Sequence, residues 1–165
     1  MVGIKDLRKI NFVDELPDNI LEKIVEVAQL ETFDEETILI RQDQSQHLIY
    51  MLVSGKIYLN CRAATGKALT LDELGPGQTF GLSSLLDNSP STYTAICAED
   101  SEVITIASAQ LLQLFKSDYA TGYKVMERVV ERFKARMNRH TQLFMAALAT
   151  HPAISSVSES ETIEE

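Results

Sequence analysis

Three rhythms of apolar and polar residues follow one another along this chain. The first is helical. Asp6 to Phe12 carries apolar residues at helical spacing, and LPDNILEKIVEVAQL follows with Pro17 at a helix start. Ile20, Leu21, Ile24, Val27, Ala28 and Leu30 share one broad face, so the spacing predicts a helix reaching Leu30. From Thr37 the period falls to two. TILIR, HLIYMLV, KIYLNCR, ALTLDEL, YTAICA and EVITIA read as short strands. Turn signals separate them at QDQSQ, Ser54-Gly55, Thr65-Gly66, Gly75-Pro76-Gly77 and Glu99-Asp100-Ser101. Short strands at this spacing predict a barrel, sandwich or roll. The helical period returns at SAQLLQLF, with Ser108 as its N-cap, and one long helix then runs from about Asp118 to Ala149. His151-Pro152 stops it. The expected fold is mainly β with flanking helices: N-terminal helices, an antiparallel, jelly-roll-like β-roll, and a long C-terminal helix.

The long helix carries a seam. Tyr119, Tyr123, Met126, Val130, Phe133, Met137, His140, Phe144 and Ala147 follow one another in alternating steps of four and three. A heptad stripe of this length calls for a partner helix. At 1.5 Å per residue the helix is about 45 Å long. A lone roll covers its first half through Val125 and Val129 and leaves the rest bare. The favoured expectation is a parallel two-helix contact between two copies, that is, a homodimer; the alternative is packing on the chain's own roll. His140, the polar member, reads as a register-setting residue, with a pH response of two facing imidazoles as the other reading.

Composition narrows the function. The 165 residues are one domain's worth, and the net charge of −9 disfavours direct nucleic-acid contact, which needs clustered Lys and Arg. Residues 116–142 do hold 7 basic against 3 acidic side chains, but Glu127 and Glu131 intersperse them, as on a solvated helical face. Cys61 and Cys97 are too few for a disulfide framework or a metal knuckle and are expected to be free and buried. No stretch is apolar for long enough to span a bilayer, and MVGIKDLRKI is too charged for a secretion signal. A cytoplasmic protein without membrane contact is expected. No Ser–His–Asp spacing, Walker loop or metal cluster stands out, so no enzyme activity is expected. The Ser- and Glu-rich end, within residues 150–165, reads as a disordered acidic tail after a domain of residues 1–149.

One stretch looks built to hold something. GPGQTFGLSSLLDNSPSTYTA, Gly75 to Ala95, has three glycines, a short apolar run, and hydroxyls around Pro90, yet contains no Lys or Arg. Together with LPDNILEKI and the hairpin ILIRQDQSQHLIYMLVSGKIYL, it resembles the cyclic nucleotide-binding domain of bacterial catabolite-activator-type regulators. The resemblance covers roughly Asn11 to Ala149. It implies a phosphate-binding cassette, in which Gly81 lets backbone approach a ligand and a short helix, Leu82 to Leu86, aims its first amides at a phosphate.

In that family an acid just after the glycine binds the ribose hydroxyls, and an arginine just after the proline neutralises the cyclic phosphate. Here those places hold Leu82 and Ser91, and Tyr93 stands where a small residue is usual. Losing one partner of a buried ion pair costs about 3–5 kcal/mol. Unaccepted ribose hydroxyls cost about 1–3 kcal/mol more. The expected cassette is therefore degenerate. Its candidate ligand contacts are Gly81, Leu82, Ser83, Ser84, Ser91, Thr92 and Tyr93.

What the resemblance implies is a non-enzymatic regulatory module that takes a small effector, nucleotide-like or other, and signals through the long helix to a second copy or a protein partner. The alternatives are a ligand-independent scaffold and a weak cyclic-nucleotide binder. The haem and iron–sulfur variants of the family are not expected. Two cysteines are too few for a cluster, and His47, His140 and His151 sit at a turn, on the seam and at a helix stop. No cofactor or metal is expected, and no helix-turn-helix is foreseen after the long helix.

Overall fold

The computed structural model of the chain describes residues 1–62, 66–86 and 89–150; the acidic stretch 151–165, expected to be a disordered tail, lies outside them. The chain divides into two compact units, residues 1–128 and 129–165.

In the first unit two short helices, α1 (Ile4–Leu7) and α2 (Asp18–Val25), precede eight strands. These are β1 (Ala28–Phe33), β2 (Ile38–Ile40), β3 (Leu48–Ser54), β4 (Ile57–Arg62), β5 (Ala68–Leu74), β6 (Thr79–Phe80), β7 (Thr94–Cys97) and β8 (Ser101–Ala107). A 3-10 turn, Leu82–Leu85, lies between β6 and β7, and α3 (Ser108–Ser117) follows β8. The last helix, α4 (Tyr119–Ala149), begins in the first unit, and its remainder is the described part of the second.

The strands form two four-stranded sheets, ordered β1-β8-β3-β6 and β2-β7-β4-β5, with antiparallel pairing throughout. Period-two patterning sets the layers. Tyr50, Leu52 and Val103 of the first sheet meet Ile40, Ile57, Leu59, Ala95 and Cys97 of the second in one apolar interior, the roll's core. Ile49, Met51, Ile104 and Ile106 alternate with those residues and are fully buried on the opposite face. β8 has α3 packed on it and β1 has α2. This double burial is why HLIYMLV and EVITIA read as nearly unbroken apolar runs. Gly55 turns β3 into β4 at φ +94°, and a Cβ there would lie 2.3 Å from the Ser101 hydroxyl.

The predicted β-roll with flanking helices is the observed architecture, and all six predicted strands are present. Three expectations are corrected. The second helix stops at Val25, because Ala28–Phe33 pairs with β8 along six residues, so Val27, Ala28 and Leu30 lie off the helix. The first helix ends at Leu7, and the chain then turns, with the Asn11 amide donating to the Gly77 carbonyl at 2.9 Å. Ser108 is the first residue of α3 rather than its cap, and its hydroxyl donates to the His47 carbonyl at 3.2 Å. The capping side chain falls instead at the start of α4, where Asp118 accepts from the Thr121 amide at 3.1 Å and the Thr121 hydroxyl at 2.7 Å. Lys23 of α2 also donates to this carboxylate, and these bonds hold it well below the usual carboxylate range, Lys23 contributing most. Arg128 anchors the helix further along, 2.8 Å from Glu15 and 3.4 Å from Asp14.

Candidate functional site

The cassette begins where β6 ends. Gly81 adopts φ +79°, and a Cβ on it would stand 2.7 Å from the Leu48 carbonyl of β3, so only glycine fits without strain. Both of its backbone groups are engaged. Its amide donates to the Tyr93 hydroxyl at 3.1 Å, and its carbonyl accepts from Gln46 Nε2 at 2.6 Å.

The expected helix from Leu82 to Leu86 is a single 3-10 turn ending at Leu85. Leu82 and Leu85 are buried, and Ser83 and Ser84 are half-buried. The Ser84 hydroxyl is enclosed, and no described residue bonds it. Four residues do not make a helix with a sustained dipole.

Ser91 is 2% exposed. Its hydroxyl donates to the Tyr93 carbonyl at 2.7 Å and accepts from the Tyr93 amide at 3.3 Å. Its backbone is clamped as well: its amide donates to the Gln44 carbonyl at 3.0 Å, and its carbonyl accepts from the Asp43 amide at 2.7 Å. Thr92 is exposed. Tyr93 is buried in the roll's interior among Ile40, Leu59 and Phe80. Beside it the Tyr50 ring stacks on Phe80 at 4.9 Å between centroids, and the Tyr50 hydroxyl donates to the Leu39 carbonyl at 3.1 Å. Burial first, then the Glu31 charge and Tyr93, push the Tyr50 phenol up to about 12.

Hydrogen bonds thus join Gly81, Ser91 and Tyr93 into one arrangement. Leu82 is buried in the turn that follows Gly81, and Thr92 is left exposed. The sequence reading missed Gln44 and Gln46. QDQSQ reads as a polar turn, and nothing in a lone sequence marks which glutamine reaches back across 35 positions to Gly81.

On α4, Val125 and Val129 are buried, as the pattern requires. The predicted seam is largely bare: Tyr119 is 81% exposed, Val130 61%, Met137 62% and Phe144 62%, and His140 and Ala147 are exposed too. Tyr123 and Phe133 are also exposed, and Met126 is half-buried. Leu143 and Met145, off the stripe, are exposed as well.

Two sheets rolled around an apolar interior, a glycine-led turn between β6 and β7, and a long helix after the roll define a β-roll regulatory domain. The family model for the cyclic nucleotide-binding domain matches residues 30–118, and the chain belongs to that family. Among curated relatives, the cyclic AMP receptor protein of Thermus thermophilus is 34% identical over 91 residues, which is 55% of this chain and 38% of that one. The chain therefore spans about two fifths of that relative's length. Among solved structures, a cyclic nucleotide-binding protein from Geobacter metallireducens superposes with a TM-score of 0.72 at 23% identity, covering 83% of this chain and 99% of that one. A cyclic nucleotide-binding domain from Methylobacillus flagellatus gives 0.78 at 14% identity, covering 90% and 84%. At these identities the structural likeness speaks for the fold alone. Among the described residues, no helix is long and apolar enough to cross a membrane.

Proposed function

We propose that this chain is a non-enzymatic regulatory module in which the cassette keeps its backbone path and has lost its nucleotide anchors, and in which α4 carries the output as a helix pair between two copies. The observation that supports this most directly is the bond from the Gly81 amide to the Tyr93 hydroxyl. An amide at this turn is the group a ligand oxygen would need, and the chain supplies that oxygen itself. The Ser91 hydroxyl is likewise committed to the Tyr93 backbone, and Leu82 offers no acceptor.

A nucleotide entering here would have to displace Tyr93 from the core without gaining an ionic contact. Burying a phosphate charge with no cation beside it costs several kcal/mol. The exposed stripe on α4 suits a second copy, since Val130, Phe133 and Met137 follow the heptad spacing of a parallel pair.

A ligand-independent scaffold is the second reading, favoured by the continuity of the core through Tyr50, Phe80 and Tyr93. Thermal melts separate the readings. Cyclic AMP, cyclic GMP and cyclic dinucleotides at millimolar concentration are expected to leave Tm unchanged, whereas a tight ligand raises it by mass action. Micromolar binding of cyclic AMP would overturn the lost-anchor reading. A shift with another small metabolite would favour a sensor over the scaffold. For the output, Val130→Glu with Phe133→Glu is expected to yield soluble monomers, and an unchanged oligomeric mass would remove the helix-pair claim.

A further inference from the structure

The outer face of the sheet β2-β7-β4-β5 carries a cleft of about 640 Å³, within the size range of small-molecule sites. It adjoins the cassette, since Asp43 and Gln44 of its lining hold the Ser91 backbone, but Gly81, Leu82, Ser91 and Tyr93 do not line it. On β7, Thr94 and Ile96 alternate with the buried Ala95 and Cys97, so the cleft opens away from the roll's interior. Its apolar lining is Ile38, Ile96 and Ala68, and its polar lining comes from Arg41, Gln42, Asp43, Gln44, Asn60, Arg62 and Thr94, with the Cys61 thiol beside them.

The polar lining is arranged asymmetrically. The side-chain oxygens of Gln42, Asn60 and Thr94 each already accept one hydrogen bond. Asn60 Oδ1 accepts from the Thr70 hydroxyl at 2.9 Å, Gln42 Oε1 from the Arg62 amide at 2.7 Å, and Thr94 Oγ1 from the Gln42 amide at 3.0 Å. These bonds hold both carboxamides by their oxygens, and no described residue accepts from either NH2 group. Two guanidiniums join them. In a chain with 24 acidic and 15 basic residues, Arg8, Lys23, Lys56 and Arg128 all sit in ion pairs. Among the described residues, neither Arg41 nor Arg62 pairs with a carboxylate. Asp43 is the single acid among the described lining residues, whose formal charge is +1.

From this geometry we infer that the outer cleft is a binding site for a small phosphate monoester with an apolar body. Two guanidiniums and two carboxamide donors match a dianionic head group, and the guanidinium fork suits phosphate oxygens. Ile38, Ile96 and Ala68 receive the body. The site stands independently of the cassette reading, because it shares no ligand contact with Gly81 or Tyr93.

The test is amide chemical-shift titration of the full chain with phenyl phosphate. Saturable shifts are expected at Gln42, Asn60 and Ile96, with a dissociation constant below about 1 mM. Arg41→Gln with Arg62→Gln should weaken binding at least tenfold, and both side chains are exposed, so the fold is retained. Thr70→Val releases the Asn60 oxygen to turn into the cleft and should weaken binding without any change of charge. Benzyl alcohol should give no saturable shift, and benzoate, with one charge, should bind more weakly than phenyl phosphate. Absence of saturation, parity of benzoate with phenyl phosphate, or affinity unchanged in the double variant would overturn the assignment. Shifts confined to Gly81–Leu85 would overturn it too, and they would also place the anion in the cassette, where a failure of the lost-anchor reading appears.

Discussion

Replacing Tyr93 by phenylalanine removes one oxygen from the middle of the cassette and leaves the ring in place. That oxygen is the acceptor for the Gly81 amide at 3.1 Å, in a buried setting. The Ser91 contacts go to the Tyr93 backbone and survive the change. The expected cost is that of stranding a buried donor, about 1–3 kcal/mol. For a domain of this size each kcal/mol moves Tm by about 2–4 °C. Tyr93→Phe should therefore lower Tm by roughly 2–12 °C, with an unchanged urea m-value, since no surface is exposed differently. Tyr58→Phe is the control: Tyr58 lies on the outer face of β4, and its loss of a hydroxyl should fall within about ±0.5 kcal/mol. Calorimetry and urea melts of the two variants side by side read the difference. If Tyr93→Phe melts with Tyr58→Phe, the hydroxyl is not what satisfies Gly81, and the self-filled cassette loses its main support.

Gly81→Ala should destabilise by about 1–3 kcal/mol from its left-handed backbone alone, before the approach to the Leu48 carbonyl is added; an unchanged urea midpoint would refute that geometry. Asp118 has a folded pKa below its unfolded one, so its stabilisation is present above about pH 4 and is lost as pH falls through the depressed folded value. The gap in urea midpoint between wild type and Asp118→Asn should accordingly narrow steadily as pH falls from about 4 to about 2, and a pH-independent gap would contradict the sign. Burial pushes the Cys97 thiol up, against a smaller opposing bond with Ser101; Cys61, expected to be buried too, is only half-buried, because it sits at the end of β4 beside the exposed Arg62. A maleimide should add once to the native protein and twice in urea; equal labelling rates for the two cysteines would show the β7 core face to be open.

Much of the fold was legible because period-two alternation survives in the strands that enclose the roll. β1 was hidden for a specific reason. Ala28 and Leu30 continue the spacing set by Ile20, Leu21 and Ile24, so the helical pattern runs straight through the point where the chain turns to pair with β8. β6 is two residues long, too short for any periodicity. In the cassette, Gly81 and the missing charges could be read directly, and Tyr93 stood out by its size. Which amide its hydroxyl meets could not be read, because that depends on the distance between β6 and β7 in the roll. The outer cleft left no linear trace either. Arg41 and Arg62 are 21 positions apart, and it is the turn glutamine Gln42, accepting from the Arg62 amide, that brings their segments together.

The loop between β2 and β3 grips the cassette at both ends: Gln46 holds the Gly81 carbonyl, and the backbone of Asp43 and Gln44 holds Ser91 on either side. Loop and cassette are thus mechanically a single splint. Neither can lift away alone, since freeing one breaks three bonds to the other. Amide protons on the two segments should exchange with deuterium at a common rate, and an insertion anywhere from 43 to 46 would loosen a strand connection nearly forty residues downstream.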